Sequence, residues 1–435
     1  MLNSNVFSLF LYEVLLYVLY PAIYCYLLIR KSKGKEDKER FCERFGKATI
    51  KRPDGEIIWI NAVSNGEINP GWPVIERLLR DSNYTILITT TTVNSARAVA
   101  KKIANMTEYQ GRVLHQFYPI DVYHIIKRFL NYWKPSILIN IENEVWVNTF
   151  SLTHKVCPVF MLNAKMSKKS FKFWYKCKGL KESALCNVDV CLAQSKIDYK
   201  RFVKLGIQSV DYVGNMKFAV NKLEINRDFV QKLEQEIGER KHWVANCTHR
   251  GEEEIILQVH KELKKRYPDL LTTIVLRHVE RCSEVIKLIE ANGLKYCQTT
   301  TGKAIEKDTD IFIHDKMGSL GSIFEVNDII FMAGSLQQNI GGHTPAECIK
   351  QHCCVVTGPY MYNNRSLFDE LKECDGCIIL DDNKAETLAK TIDKLLSEPE
   401  LVNTISSNAY TRSLQSTSII GAITAKILST IRNRM

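Results

Sequence analysis

Short apolar runs recur along the chain from residue 57 onward, and longer segments with helically spaced apolar positions separate them. Strands that are apolar throughout are typical of parallel sheets, in which crossover helices cover both faces. In the first half the pattern predicts strands at residues 57–61, 85–89, 136–141, 159–162 and 188–192. In the second half it predicts strands at residues 243–246, 272–276, 311–314, 329–333, 354–357 and 377–380. Residues 252–266 and the tail from 388 onward are predicted to be helical.

Two successive series of this kind predict an α/β protein with two Rossmann-like, doubly wound domains. A chain of 435 residues is also too long for one ordinary domain. The expected division is an anchor at 1–30, a first domain at 31–213 and a second at 214–435. Ligands of doubly wound sheets bind at the carboxyl ends of the strands, so we expect a cleft between the two domains.

The amino-terminal segment is an apolar, aromatic-rich run over residues 6–29, about long enough to cross a bilayer. A basic cluster follows at residues 30–35, which predicts that the rest of the chain stays on the cytoplasmic side. The run has neither a basic leader nor a small-residue cleavage site, so an uncleaved anchor helix is expected. Because Glu13 is costly inside hydrocarbon, the helix either spans the membrane or lies in its interface.

The net charge of +11 indicates an anionic partner. No aromatic RNA-binding motif or zinc-finger spacing accompanies it, so we expect a phosphorylated substrate or an anionic membrane surface and no nucleic acid. The 14 cysteines are scattered, several within apolar runs, and form no pair of CxxC motifs. They are interpreted as reduced thiols of a cytoplasmic protein, and no metal site is predicted.

In the first domain, acidic, basic and hydroxyl side chains follow three of the predicted strands. These residues are Ser64, Glu67, Glu142, Glu144, Lys165 and Ser167. Glu67 follows a glycine in a strand-end loop, where a carboxylate can act as a general base. It can equally be a first-turn glutamate that complements a helix dipole, and serines at strand ends are frequent helix caps.

In the second domain, Thr248 and His249 follow one strand, and Arg277 and His278 follow the next. A guanidinium group at a strand exit can hold a phosphate through two hydrogen bonds, although an Arg-His pair is often only a surface feature.

Glycines mark two more loops of this domain. Gly318 follows Met317 and precedes a predicted helix, where free backbone N–H groups can bind phosphate. Gly341 and Gly342 permit close backbone approach before His343. Glu347 lies one turn later and can accept hydrogen bonds from a ribose diol, and the alternative is a structural turn with a solvent-exposed glutamate.

Taken in order, the strand-end motifs resemble the family of 3-deoxy-D-manno-octulosonic acid (Kdo) transferases, which are glycosyltransferases of the two-domain GT-B type. The motifs are Val-Ser-x-Gly-Glu at 63–67, Glu-x-Glu-x-Trp at 142–146, Asn-Ala-Lys-x-Ser at 163–167, Gly-Asn-x-Lys-Phe at 214–218, Thr-His-x-Gly-Glu-Glu at 248–253, Arg-His-x-Glu-Arg at 277–281, Asp-x-Met-Gly at 315–318 and Gly-Gly-His at 341–343. The resemblance covers nearly the whole chain. The chain departs from the family pattern at Lys165, Val279, Ser319 and Thr344.

The resemblance implies inverting transfer of Kdo from CMP-Kdo to a lipid A precursor (lipid IVA) in lipopolysaccharide biosynthesis, without a cofactor or metal, at the cytoplasmic face of a bacterial inner membrane. Glu67 is then the catalytic base. The implied donor-binding residues are Lys217, Thr248, His249, Arg277, His278, Met317, Gly318, Gly341, Gly342, His343 and Glu347. The implied acceptor-binding residues are Ser64, Glu142, Glu144, Lys165 and Ser167.

Between two of these motifs, lysines alternate with aromatic residues over 165–178, a pattern that suits an anionic membrane and a phosphorylated glycolipid. The same pattern arises when a solvated lysine face covers core aromatics. Two other functions remain open from the sequence: another sugar-nucleotide transferase or epimerase of the same fold, and a non-catalytic, membrane-tethered nucleotide-binding protein.

Overall fold

A computed structural model describes residues 4–142, 145–316 and 318–433. The chain forms two compact units. The first consists of Met1–Met216 together with Ser416–Met435, and the second consists of Lys217–Gln415. The last helix therefore begins in the second unit and ends in the first.

The first unit contains a seven-stranded sheet in which all neighbouring strands are parallel. Its strands are β1 (Ile57–Asn61), β2 (Thr85–Thr90), β3 (Val113–Phe117), β4 (Ile137–Ile141), β5 (Val159–Ala164), β6 (Val190–Ala193) and β7 (Val210–Tyr212). The strand order is β3-β2-β1-β4-β5-β6-β7, so the winding direction reverses between β1 and β4.

The helix α1 (Ser4–Ser32) precedes the sheet. The helices that connect its strands are α2 (Asn65–Asp81), α3 (Val93–Asn105), α4 (Tyr123–Trp133), α5 (Val147–Thr153), α6 (Lys168–Lys176), α7 (Lys178–Ala184) and α8 (Lys196–Lys204). Every residue of β1, β2, β4 and β5 is buried, as expected for strands covered on both faces.

The second unit repeats this plan with a second seven-stranded parallel sheet. Its strands are β8 (His242–Thr248), β9 (Leu271–Leu276), β10 (Tyr296–Gln298), β11 (Ile311–His314), β12 (Ile329–Met332), β13 (Cys354–Thr357) and β14 (Ile378–Ile379). The order β10-β11-β9-β8-β12-β13-β14 places the reversal between β8 and β12.

The helices of the second unit are α9 (Arg227–Ile237), α10 (Glu253–Lys264), α11 (Cys282–Ala291), α12 (Leu320–Glu325), α13 (Ala346–Lys350), α14 (Arg365–Glu373), α15 (Ala385–Ser397) and α16 (Pro399–Arg432). One apolar cluster includes Ile256 and Leu388, and another includes Phe324 and Phe368, each together with strand side chains. The predicted α/β class with two doubly wound sheets is confirmed.

The amino-terminal helix α1 continues through Pro21 and rests on the first unit. The Tyr12 hydroxyl donates a hydrogen bond of 3.0 Å to the buried carboxylate of Asp121, and Tyr17 stacks on His124. Elsewhere the helix exposes large apolar side chains such as Val18, and it is long and apolar enough to cross a membrane.

Candidate active site

The carboxyl ends of β1, β2 and β4 carry a connected set of buried polar side chains. The Trp59 indole N–H donates to Thr89 Oγ1 at 2.9 Å, and the Thr89 hydroxyl donates to Asn61 Oδ1 at 3.0 Å. Asn61 Nδ2 then donates to Asn140 Oδ1 at 2.8 Å across the point where the winding reverses. These bonds fix the strand ends from which the loops of the site start.

Glu67 lies in the first turn of α2, directly after β1. It forms a capping box with Ser64, the N-cap residue of the helix. Its Oε2 atom accepts hydrogen bonds from the backbone N–H groups of Val63, at 2.7 Å, and Ser64, at 3.3 Å. The side chain remains partly exposed. The structure thus places this partly exposed glutamate as a helix-capping residue at the reversal point of the sheet.

The other predicted acceptor-binding residues follow β4 and β5. Glu142 is buried and has a positive φ of 63°, a backbone conformation that is rare outside glycine. Lys165 is half-buried, and the exposed Ser167 caps α6 by accepting the Ser170 N–H at 3.0 Å. Glu144 lies outside the described residues.

The basic segment after β5 divides between surface and core. The lysines of α6 are exposed, and so are Phe173 and Tyr175, whereas Trp174 is buried. The helix thus presents solvated lysines on one face and packs Trp174 on another, and the contact with an anionic membrane stays a prediction.

In the second unit, a buried carboxylate joins the loops after β8 and β12. Glu252 is completely buried and accepts hydrogen bonds from four main-chain N–H groups. The donors are His249 at 3.1 Å, Gly334 at 2.7 Å, Ser335 at 3.1 Å and Leu336 at 3.0 Å. Glu252 therefore holds two of the predicted ligand-binding loops together at the reversal point of the second sheet.

These loops bring two predicted donor-binding histidines into direct contact. His249 Nε2 and His343 Nε2 are 2.8 Å apart, and the two ring planes differ by only 6°. A side chain at Gly334 would collide with the His343 ring, because a Cβ atom there would lie 2.8 Å from His343 Cδ2. Gly334 also has a φ of +73°, so the position is suited to glycine for two reasons.

Arg277 and His278, in the loop after β9, lie near this histidine pair. The His278 ring lies 5.8 Å from that of His249, and both Arg277 and His278 are exposed. Burial lowers the pKa of His343 to about 4, and the neighbouring His249, Arg277 and His278 act in the same direction. Burial likewise lowers the pKa of His249, with His278 and the nearby arginines adding to the effect. The cluster is therefore electropositive and suited to an anion.

The remaining predicted donor-binding residues lie along the same edge or close to it. Gly341 is buried with a φ of +90°, and a Cβ atom there would collide with the Tyr362 ring. Gly342 donates its N–H to the Gly334 carbonyl at 2.8 Å. On α13, burial raises the pKa of Glu347, whose side chain is partly exposed.

Three further predicted residues are less closely tied to the histidine pair. Thr248 is buried at the end of β8, and its hydroxyl has no hydrogen-bond partner in the described part of the chain. Gly318, with a φ of +91°, follows β11, which lies two strands from β8. Lys217 is half-buried in a 3-10 helix at the start of the second unit. Met317 lies outside the described residues.

Two signals of the site were not recognised in the sequence. One is Glu252, whose role depends on burial. The other is backbone strain: Glu142, Asn163 and Cys247, all at carboxyl ends of strands, have positive φ values between 52° and 63°. Such conformations in non-glycine residues concentrate at functional sites.

The sequence is similar to those of known proteins of one family. The family model for 3-deoxy-D-manno-octulosonic-acid transferase matches residues 39–220. A probable mitochondrial 3-deoxy-D-manno-octulosonic acid transferase of Arabidopsis thaliana is 32% identical, over 93% of this chain and 91% of that protein. The 3-deoxy-D-manno-octulosonic acid transferase of Haemophilus influenzae is 29% identical, over 90% of this chain and 91% of that protein.

Solved structures of similar fold include a glycosyltransferase from Rickettsia africae, with a TM-score of 0.55 and 14% identity over 88% of this chain and 98% of that one. A UDP-GlcNAc 2-epimerase from Neisseria meningitidis has a TM-score of 0.57 and 15% identity over 85% of this chain and 99% of that one. These two show the fold, whereas the near-full-length relatives show the family. The chain belongs to the 3-deoxy-D-manno-octulosonic acid transferase family of glycosyltransferases.

Proposed function

We propose that this glycosyltransferase transfers Kdo from CMP-Kdo to a lipid A precursor, lipid IVA, in lipopolysaccharide biosynthesis. The observation that carries the proposal is a partly exposed carboxylate, Glu67, at the reversal point of the first sheet. Membership of the family indicates that the transferred sugar is Kdo. The position of Glu67 provides a general base for the acceptor hydroxyl.

Glu67 is suited to act as the general base. Its Oε2 atom accepts the main-chain N–H groups of Val63 and Ser64, and these hydrogen bonds orient the carboxylate at the start of α2. A carboxylate held in this way can accept the proton of a hydroxyl group within hydrogen-bond reach. A base that deprotonates the acceptor hydroxyl during one displacement gives inversion at the anomeric carbon, the stereochemical logic also found in inverting glycoside hydrolysis.

The donor side of the proposal rests on the second unit. The exposed Arg277 guanidinium provides positive charge for the phosphate of CMP-Kdo, and Glu347 provides a carboxylate for the ribose. This guanidinium can stabilise the departing CMP, so we propose that transfer requires neither a metal nor another cofactor. Activity is then expected to persist in excess EDTA.

The proposed acceptor is a membrane lipid, and α1 can bring the protein to the membrane that contains it. Because Tyr12 and Tyr17 bind to the first unit, one side of the helix is occupied by protein. Its remaining surface is rich in exposed apolar side chains. We propose that α1 lies within the cytoplasmic leaflet of the bacterial inner membrane, and that the exposed lysines of α6 contact anionic headgroups.

Reconstitution tests the proposal directly. Purified full-length protein in phosphatidylglycerol vesicles is supplied with lipid IVA and CMP-Kdo, with and without EDTA. Mass spectrometry of the glycolipid should show additions of one or more Kdo residues, and NMR of the product should show inverted anomeric configuration. Absence of transfer, combined with turnover of UDP-GlcNAc, would instead identify an epimerase of the same fold.

A further inference from the structure

The contact between His249 and His343 fixes the number of protons between two imidazole rings. Their Nε2 atoms are 2.8 Å apart in nearly coplanar rings, so the rings meet edge to edge. A hydrogen bond of this kind needs one proton between the two nitrogens, and each ring then keeps only Nδ1 for its remaining chemistry. The two rings therefore titrate as one coupled unit.

The protein holds this contact from both sides. On the His249 side, the Glu252 carboxylate accepts the main-chain N–H of His249 and also the main-chain N–H of Gly334, where the turn begins. On the His343 side, the ring packs against Gly334, where any side chain would collide with it. Glu252 therefore ties the main chain of His249 to the same turn against which the His343 ring packs. Two histidines held by one turn form a defined pair.

When no anion is bound, the surroundings of His249 and His343 disfavour an additional proton on either ring. The ionisable residues of the neighbouring segments are Arg277, His278, Glu280, Arg281 and Glu284 after β9, Cys247, Arg250, Glu252, Glu253 and Glu254 at the end of β8 and after it, and Glu347 on α13. Glu252 accepts four main-chain N–H groups, Glu253 pairs with Arg281 at 2.9 Å, and Glu284 pairs with both Arg250 and Arg281. Glu280 lies 3.5 Å from His278. Burial, together with the nearby Arg277, lowers the pKa values of both His249 and His343.

We propose that His249 and His343 form a single proton-holding pair that takes up one proton when the phosphate of the sugar nucleotide binds, and that delivers this proton to the phosphate oxygen released from the sugar. An anion at this cluster offsets the positive charge of Arg277, which makes a protonated pair favourable. This inference rests on the proposed function and names the group that protonates the leaving nucleotide.

Each proton that moves in this step has a named donor and a named acceptor. When the bond between the anomeric carbon and the phosphate oxygen breaks, its electron pair stays on the oxygen. The proton moves from the imidazole pair to that oxygen. After CMP leaves, the pair is neutral again and takes its next proton from water when another donor binds, while the acceptor proton leaves through Glu67.

Proton uptake on ligand binding tests the proposal. The probe is the methyl ester of cytidine 5′-monophosphate, whose phosphodiester keeps one negative charge throughout the range in which histidines titrate. Calorimetry in two buffers of different ionisation enthalpy gives the protons taken up by full-length protein. We expect uptake approaching one proton per ligand, and an affinity that falls by up to about tenfold per pH unit as the pH rises.

Substitutions of His249 and His343 test whether these residues hold the proton that is taken up on binding. His343→Asn, His249→Asn and the double variant are each expected to abolish the uptake, and the double variant should do no more than either single one. The matched control is His352→Asn, an exposed histidine of the same unit whose φ of 62° is compatible with asparagine. NMR of ¹⁵N-labelled histidine should show both Nε2 signals of the pair shifting together when the ester is added.

Two results would overturn the inference. One is ligand binding with unchanged proton uptake in His343→Asn, in a variant that unfolds at the wild-type temperature. The other is loss of uptake in His278→Asn alone. If the wild-type protein does not bind the ester at all, the assignment of the donor site is wrong as well, which separates failure of the proposed function from failure of this inference.

Discussion

Two glutamates occupy equivalent positions in the two sheets. Glu67 follows β1 and Glu252 follows β8, and both strands border the point where the winding of their sheet reverses. Both carboxylates accept main-chain N–H groups. Glu67 accepts two, from its own helix start, and stays partly exposed, whereas Glu252 accepts four, from two loops, and is completely buried.

Exposure to substrate decides what a strand-end carboxylate can do. A buried carboxylate whose oxygens receive four N–H groups is committed to holding loops, and it cannot meet a substrate hydroxyl. The partly exposed Glu67 is oriented by main-chain N–H groups and can still exchange a proton with a substrate. We therefore assign chemistry to Glu67 and a positioning role to Glu252.

The largest expected effect is on turnover, through Glu67→Gln. Glutamine can still complete a capping box, so the fold should be retained. It cannot accept the proton of the acceptor hydroxyl, so the transfer rate should fall roughly 10²–10⁴-fold with little change in CMP affinity. Rates come from the vesicle assay, and Glu76→Gln, an exposed position on α2, is the matched control. A rate within about threefold of wild type would remove Glu67 from the role of general base.

The next effect is on stability, through Glu252→Gln. The amide group of glutamine would face main-chain N–H donors, leaving part of a buried hydrogen-bond set unsatisfied. We expect a loss of roughly 2–4 kcal/mol in the free energy of unfolding, measured by urea denaturation.

The neighbouring Glu254 provides the control for this variant. It is exposed in the first turn of α10, and Glu254→Gln should change the free energy of unfolding by less than about 0.5 kcal/mol. Equal effects of the two substitutions would mean that the buried hydrogen bonds of Glu252 do not hold the loops together.

The sequence predicted the central strands well because their apolar runs are uninterrupted. Residues 57–61, 311–314 and 354–357 were predicted with the bounds that the structure has. The strands β3, β7 and β10 were not predicted, and all three lie at sheet edges. The sequence of β3 includes His115 and Gln116, which are buried through contacts with residues outside the strand: the Thr90 hydroxyl lies 2.9 Å from the His115 ring, and the Trp133 indole N–H donates to Gln116 Oε1 at 2.7 Å.

The candidate site was predictable to a similar extent. Strand-end motifs placed Glu67, His249 and His343 at the carboxyl edges, because the position of a residue after a strand can be read from the pattern. The contact between the two histidines was not predictable, since they are 94 residues apart and meet through loop conformations. Glu252 shows the same limit, because nothing in the motif at 248–253 distinguishes a buried acceptor from an exposed one.

The smallest effect concerns Ser64, which separates a capping role from a role in acceptor binding. If the side chain only caps α2, Ser64→Ala should cost about 1 kcal/mol in the free energy of unfolding. The transfer rate should change by less than about threefold, since the backbone N–H groups that orient Glu67 are still present. The control is Ser195→Ala, which removes the cap of α8. A rate loss of about a hundredfold in Ser64→Ala, without one in Ser195→Ala, would show that the Ser64 hydroxyl contacts the acceptor, because a cap alone cannot discriminate the transition state from the ground state.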